Sequence, residues 1–273
     1  MVVVVPVAMA YQYTHLGRAA TPANKLGTAY EDVSFETADG LTLKGWYVPS
    51  RNGAAVIAFP GRKGPQPHTR MLARHGYGVL LFDRRGEGAS DGEPNAYGWG
   101  GEKDIEAAVA YLRRRHDVDP GRIGGIGLSV GGELMMQAAA GTPGLKAVVS
   151  DGAGWRSVRE MADLPRHGIL DSIVGVPSNA ALTAAVAVFS NHAPPADLKH
   201  YAARVAPRPL LLIADPESPN GEVLNTGYHR AAQGSAELWE IPGAGHTHGI
   251  HTRAAEYERR VTSFFDRALR SSR

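Results

Sequence analysis

Cysteine is absent from the 273 residues, which removes disulfides, thiolate metal sites and a cysteine nucleophile. Organised basic surface is missing too. The formal net charge is +2, the arginines are scattered, and no basic stripe interleaves with aromatics, so nucleic acid is set aside as a partner. No internal repeat, low-complexity tract or block of like charge interrupts the chain. With 43% hydrophobic and 21% charged residues, a chain of this length can bury one large core, and a single domain carrying an inserted segment is expected.

The N-terminus opens on an apolar run, Val2–Val5 with Val7, Ala8 and Met9, that ends near Tyr11 and Tyr13. It is too short to span a bilayer and lacks the basic flank and Ala-x-Ala site of a secretory signal. It reads either as a covered edge segment or as the end of a longer membrane anchor. Membrane association of this N-terminal extension, residues 1–29, therefore stays open, and localisation with it: cytoplasmic or membrane-associated.

Asp32–Thr37 and Leu41–Val48 alternate apolar and polar residues around Ala38-Asp39-Gly40, the pattern of a β-hairpin with a tight turn. The short, nearly continuous apolar runs Ala55–Phe59, Gly78–Phe82, Ile123–Leu128 and Ala147–Ser150 follow; such runs suit strands of a parallel sheet covered on both faces. Between them, Ile105, Val109 and Leu112 fall at helical spacing in a helix predicted over 102–115, with acids at its start and Arg113–Arg115 at its end. The rhythm stops between Gly152 and Ala206, where an Ala-rich helical stretch is punctuated by Pro165, Pro177, Pro194 and Pro195. It resumes with a strand at Leu210–Ala214, a helix near Glu222–Ala232, a strand at Glu237–Ile241 and a closing helix carrying Tyr257, Val261 and Phe264. The fold class is α/β, with the core in 30–151 and 207–273 and a helical lid inserted at 152–206.

Gly127-Leu128-Ser129-Val130-Gly131 fits G-x-S-x-G between an apolar strand and an Ala/Met-rich helix, the context in which a serine is held on a sharp strand-to-helix turn. Small neighbours let strand and helix pack closely while the hydroxyl points outward. A serine hydroxyl needs a base within hydrogen-bond reach. Of the 11 histidines, His246 follows the last strand in Pro242-Gly243-Ala244-Gly245-His246, on a loop that a parallel sheet places at the same edge as Ser129. His248 and His251 are rivals; no adjacent Asp or Cys completes a ligand set with them, so no metal is expected. His68, His75 and His192 read as ordinary surface or core histidines. The oxyanion donors are expected at the N–H of Val130, after the nucleophile, and of Arg62, in Phe59-Pro60-Gly61-Arg62-Lys63-Gly64 after the first buried strand.

These segments resemble the α/β-hydrolase superfamily from Tyr30 to Leu269, particularly its esterase-like members. Besides the serine turn, the resemblance rests on Gly76 to Ser90 (strand, Asp83, Arg85-Gly86, Gly88-Ala89-Ser90), on Asp119-Pro120-Gly121-Arg122-Ile123, and on the closing helix from Tyr257 to Phe265. It implies an eight-stranded, mostly parallel sheet, a helical lid and a Ser–His–acid triad, with no cofactor. Two departures stand out: Pro60-Gly61 where relatives carry His-Gly, and Asp215-Pro216-Glu217-Ser218-Pro219-Asn220-Gly221-Glu222 where they carry Gly-x-x-Asp. The acid is therefore open among three carboxylates. Glu217 is preferred for its distance past the strand end, then Glu222, whose place in a first helical turn the helix dipole already explains, then Asp215, held by Pro216. The expected chemistry is hydrolysis of a small carboxylic ester through an acyl-enzyme, with amide or peptide cleavage, acyl transfer, or a catalytically dead binding scaffold as alternatives. Trp155, Leu164, Ile169, Leu170, Ile173, Val174 and Phe189 of the lid are expected to shape an apolar acyl pocket.

Overall fold

A computed structural model describes residues 2–15, 18, 26–61, 64–165 and 171–270. Its eight-stranded sheet runs in the order β1-β2-β4-β3-β5-β6-β7-β8. β1 (Glu31–Glu36) and β2 (Thr42–Val48) form the expected hairpin, and β2 joins β4 antiparallel. β3 (Ala55–Phe59), β4 (Gly78–Phe82), β5 (Ile123–Leu128), β6 (Ala147–Asp151), β7 (Leu210–Ala214) and β8 (Ala236–Glu240) are mutually parallel.

Every residue of β3 to β7 is buried, because each strand serves two apolar layers at period two. Ile57, Phe59, Leu80, Phe82, Leu210 and Leu212 face one layer. It is built by α3 (Glu102–Leu112), α4 (Val130–Gly141), α7 (Leu198–Val205) and α8 (Asn225–Ala231), through Ile105, Leu134, Val205 and Tyr228. Val56, Ala58, Val79, Leu211 and Ile213 face the other. There α2 (Gln66–Arg74) and α10 (Ala254–Ala268) pack Leu72, Tyr257, Val261 and Phe265.

The predicted lid divides. Leu198, Ala202 and Val205 of α7, at the end of the expected insertion 152–206, belong to the core cluster, so α7 packs on the sheet between β6 and β7. That insertion contains α5 (Val158–Ala162), a π-helical turn at Asp171–Gly175 and α6 (Val176–Ser190). The N-terminal run is not an edge segment of the sheet. It forms α1 (Val4–Thr14), which lies along α6 with Ala10 buried among Trp99, Ala185 and Val186. α9 (Gly249–Thr252) is a single turn behind the last loop.

Candidate active site

Ser129 sits between β5 and α4 with φ 55° and ψ −125°, a conformation that only a tightly constrained turn imposes on a residue with a Cβ. Its N–H donates to the Asp151 carbonyl at 2.7 Å, tying the turn to the end of β6. The neighbouring glycines are sterically required. A Cβ on Gly127 would sit on the carbonyl oxygen of Gly131, and one on Gly131 would lie 2.7 Å from the carbonyl oxygen of Pro60. The close crossing of β5, α4 and the loop after β3 thus turns the serine hydroxyl toward the carboxyl edge of the sheet.

His246, on the loop after β8, places Nε2 2.8 Å from Ser129 Oγ and Nδ1 2.7 Å from Glu222 Oε1. A carboxylate only accepts, so the imidazole proton lies on Nδ1 and Nε2 is free to accept from the serine hydroxyl. Glu222 is fully buried, and its second oxygen accepts the Asp215 N–H at 2.7 Å. Both oxygens are therefore held in place.

The acid preferred from sequence is corrected by this geometry: Glu222, not Glu217, meets the histidine. Glu217 lies in the turn just past β7, where its own N–H is bound by Asp215 Oδ1 at 3.0 Å. The chain then runs on through Asn220 and Gly221, whose left-handed φ of 79° turns Glu222 inward. Asp215 has a different task. Its Oδ1 accepts the Gly243 N–H at 3.2 Å and its Oδ2 the Gly245 N–H at 2.7 Å, so it grips the backbone of the His246 loop without touching the imidazole.

Of the expected oxyanion donors, Val130 is the first residue of α4, and its N–H precedes the first intrahelical bond, free to face an anion at the helix N-terminus. Arg62 lies outside the described residues. Gly61, next to it, lines the same cavity as Ser129 and His246.

That cavity has a volume of about 460 Å³. Trp155 lines it as expected, but Met9 and Tyr13 of α1 and Leu182 and Val186 of α6 supply much of its apolar wall. The other described lid residues do not. Leu164 packs against the core, Ile173, Val174 and Phe189 are exposed, and Ile169 and Leu170 lie outside the described residues. Among the described residues, the one carboxylate lining the cavity, Glu133, is engaged by Arg156 at 3.5 Å and by the Gly154 N–H at 3.2 Å. Burial raises its pKa against the pull of Arg156.

Sequence reasoning passed over a second polar chain beneath the site. Asp151 ends β6, and burial pushes its carboxyl up to about 7. The Tyr257 hydroxyl donates to Asp151 Oδ2 at 2.7 Å and receives His68 Nε2 at 3.0 Å; burial also holds His68 neutral, near 3. An acid closing an apolar strand at the carboxyl edge was the available signal. Among the described residues, no group of three or more His, Cys, Asp or Glu side chains could hold a metal ion.

The family described as X-Pro dipeptidyl-peptidase (S15 family) matches residues 5–240. The uncharacterized protein Rv2307c of Mycobacterium tuberculosis is 32% identical over 239 residues, which cover 79% of this chain and 84% of that protein. Among solved structures, the Pyrococcus furiosus esterase Pf2001 superposes with a TM-score of 0.75 at 23% identity, covering 94% of this chain and 100% of its own. The Pyrococcus horikoshii acylaminoacyl peptidase superposes with a TM-score of 0.65 at 21% identity, over 90% of this chain and 42% of that one. With the eight-stranded sheet and its serine turn, these matches identify the chain as an α/β hydrolase that belongs to the S15 family.

Proposed function

We propose that the protein is a serine esterase, with Ser129 as nucleophile, His246 as general base and acid, and Glu222 as the carboxylate that orients the imidazole. The observation that carries this reading is the unbroken chain from Ser129 Oγ through His246 to Glu222, with links of 2.8 and 2.7 Å. Ser129 Oγ attacks the ester carbonyl carbon as His246 Nε2 takes its proton. The Glu222 carboxylate, dry and 2.7 Å from Nδ1, stabilises the imidazolium so formed. Charge developing on the carbonyl oxygen falls to the N–H of Val130 and to a backbone donor of the loop after β3, where Arg62 was expected to serve. The imidazolium returns its proton to the departing alkoxide. Water, deprotonated in turn by His246, then releases the acid and restores the serine.

The cavity favours an uncharged acyl group over a peptide N-terminus. A dipeptidyl-peptidase must accommodate an α-ammonium group, which requires an uncommitted carboxylate when desolvated. Here Glu133 is committed to Arg156 and to the Gly154 N–H, while Met9, Trp99, Trp155, Leu182 and Val186 offer an apolar surround. The S15 match makes peptide cleavage the second reading.

Both readings are tested with a fluorophosphonate probe and paired substrates, p-nitrophenyl esters against an X-Pro p-nitroanilide. Ester turnover and probe labelling should both vanish in Ser129→Ala while the fold is kept. Preference for the anilide moves the assignment to peptidase, and absence of labelling in the wild type refutes a serine nucleophile.

A further inference from the structure

The lid helix α6 shows an inverted pattern on its outer side. Ile173, just before the helix, and Pro177, Ala180, Ala184 and Val188 recur at helical spacing, and all five are exposed. A surface helix in water carries charged or polar residues at such positions. Here Ile173 is 63% and Val188 76% exposed, with Val174 and Phe189 beside them. The 18 residues Ile173–Ser190 have a mean hydropathy of 1.6, yet only 11% of them are buried. α1 continues the same surface, with Val4 at 72% exposure and Val5 and Tyr11 also outward. Contiguous apolar surface of this kind is rare on a protein that meets only water.

Charge identifies the occupant. Residues 2–17 and 172–196 contain no Asp, Glu, Lys or Arg, although charged residues make up 21% of the chain. Docking surfaces for soluble proteins carry a polar, charged rim that fixes the partner's register, and neither helix supplies one. An uncharged face complements hydrocarbon, where charges are excluded. At the C-terminal ends of both helices, Tyr11 packs edge-on against Phe189 at 5.6 Å and stacks on His15 at 4.1 Å, the kind of amphipathic aromatic group that settles at headgroup level.

We infer that α1 and α6 together dock the protein on a lipid bilayer, lying flat with their outer faces among the upper acyl chains. α6 does not cross the bilayer, because its inner side is committed: Ala185 and Val186 are buried, and Asn179, Leu182, Thr183 and Val186 wall the cavity. A flat helix inserts only about 5–10 Å into the boundary layer, which leaves that wall intact. The bilayer would then contact the far side of the two helices that roof Ser129. On the esterase reading, this suits an ester dissolved in the membrane.

Flotation of the full chain with phosphatidylcholine vesicles tests the docking without any turnover, so Ser129→Ala should float like the wild type whatever the enzyme hydrolyses. The wild type is expected to float with these neutral vesicles, equally at low and at high salt. Ala184→Glu with Val188→Glu should lower vesicle partitioning by at least about tenfold, with unchanged thermal unfolding and unchanged turnover of a water-soluble ester. Ile173→Glu, outside the helix proper, is a second variant that places no charge within α6. The inference is overturned if the wild type stays unbound or binds only anionic vesicles at low salt. It is equally overturned if the variants float as well as the wild type, or if the wild type is a dimer that these variants dissociate and no vesicle binding is seen.

Discussion

Replacing Glu222 by Gln changes one atom, and the surroundings of that atom determine the outcome. Both carboxylate oxygens accept hydrogen bonds in a dry site, Oε1 from His246 Nδ1–H and Oε2 from the Asp215 N–H, each at 2.7 Å. A glutamine has one oxygen and must point its NH₂ at one of these two donors. If the amide oxygen stays with Asp215, the NH₂ faces Nδ1 and drives the imidazole proton to Nε2, where it can no longer accept from Ser129. If the amide flips, His246 keeps its tautomer and the Asp215 N–H loses its partner, at about 1–3 kcal/mol. By that cost alone the active arrangement falls to between roughly one fifth and about one part in 160. Loss of the negative charge beside the imidazolium adds to it, so kcat should drop by about 10²- to 10⁴-fold with little change in KM. Stopped-assay turnover of a p-nitrophenyl ester, with circular dichroism as the control for folding, measures this. Glu217→Gln, whose contact to Asp215 is through its own backbone N–H, should stay within a few-fold of wild type. A Glu222→Gln enzyme of wild-type rate beside a collapsed Glu217→Gln would refute the reasoning.

Two further perturbations read other parts of the fold. Gly127→Ala should destabilise the protein by about 3 kcal/mol or more in urea unfolding, since the new methyl meets the backbone carbonyl of Gly131 and no side chain can yield; a loss below 1 kcal/mol, on the order of a surface substitution, would show the crossing to be looser than described. Burial raises the Asp151 carboxyl from 3.8 to about 7, so between those values the folded protein keeps a proton that the unfolded chain releases. Its contribution is full below about pH 4 and is lost as pH rises through about 7, by up to roughly 4 kcal/mol. Asp151→Asn, which mimics the neutral acid, should abolish that fall; parallel stability–pH curves for variant and wild type would refute it.

Most of the core was legible because it is periodic. β3, β4, β5 and β7 begin and end where their apolar runs do, since these buried strands contain no polar residue, whereas the equally buried β6 carries Ser150 and runs one residue further, to Asp151. Boundaries failed where another interaction intervenes. The helix read as Glu222–Ala232 begins as a 3₁₀ turn at Glu222–Leu224, because Glu222 is turned inward toward His246 and not out into solvent. The lid's apolar residues misled for a related reason. Composition gave the number of apolar residues between β6 and β7 but not their direction, and Ile173, Val174 and Phe189 face away from the cavity that Met9 and Tyr13 of the N-terminal helix help to line. Ser129 and His246 were readable because short glycine-bracketed turns follow their strands directly, and the sheet then dictates where they go.

The carboxylate at the histidine resisted sequence reading because two acids divide a task usually assigned to one. Asp215, directly after β7, lies where a strand-end acid is expected, but Gly243 and Gly245 present two N–H groups there and its oxygens take both. With Oδ1 also taking the Glu217 N–H at 3.0 Å, this carboxylate is aimed at the loop backbone and fixes its path, not the imidazole. The acid that meets Nδ1 must then come from farther along the chain, and Asp215 supplies the means, since its own N–H holds Glu222 Oε2. One residue thereby positions His246 through the Gly245 backbone and the imidazole's partner through the Glu222 carboxylate. The geometry at His246 depends on Asp215 from both sides, although no atom of Asp215 is hydrogen-bonded to the ring.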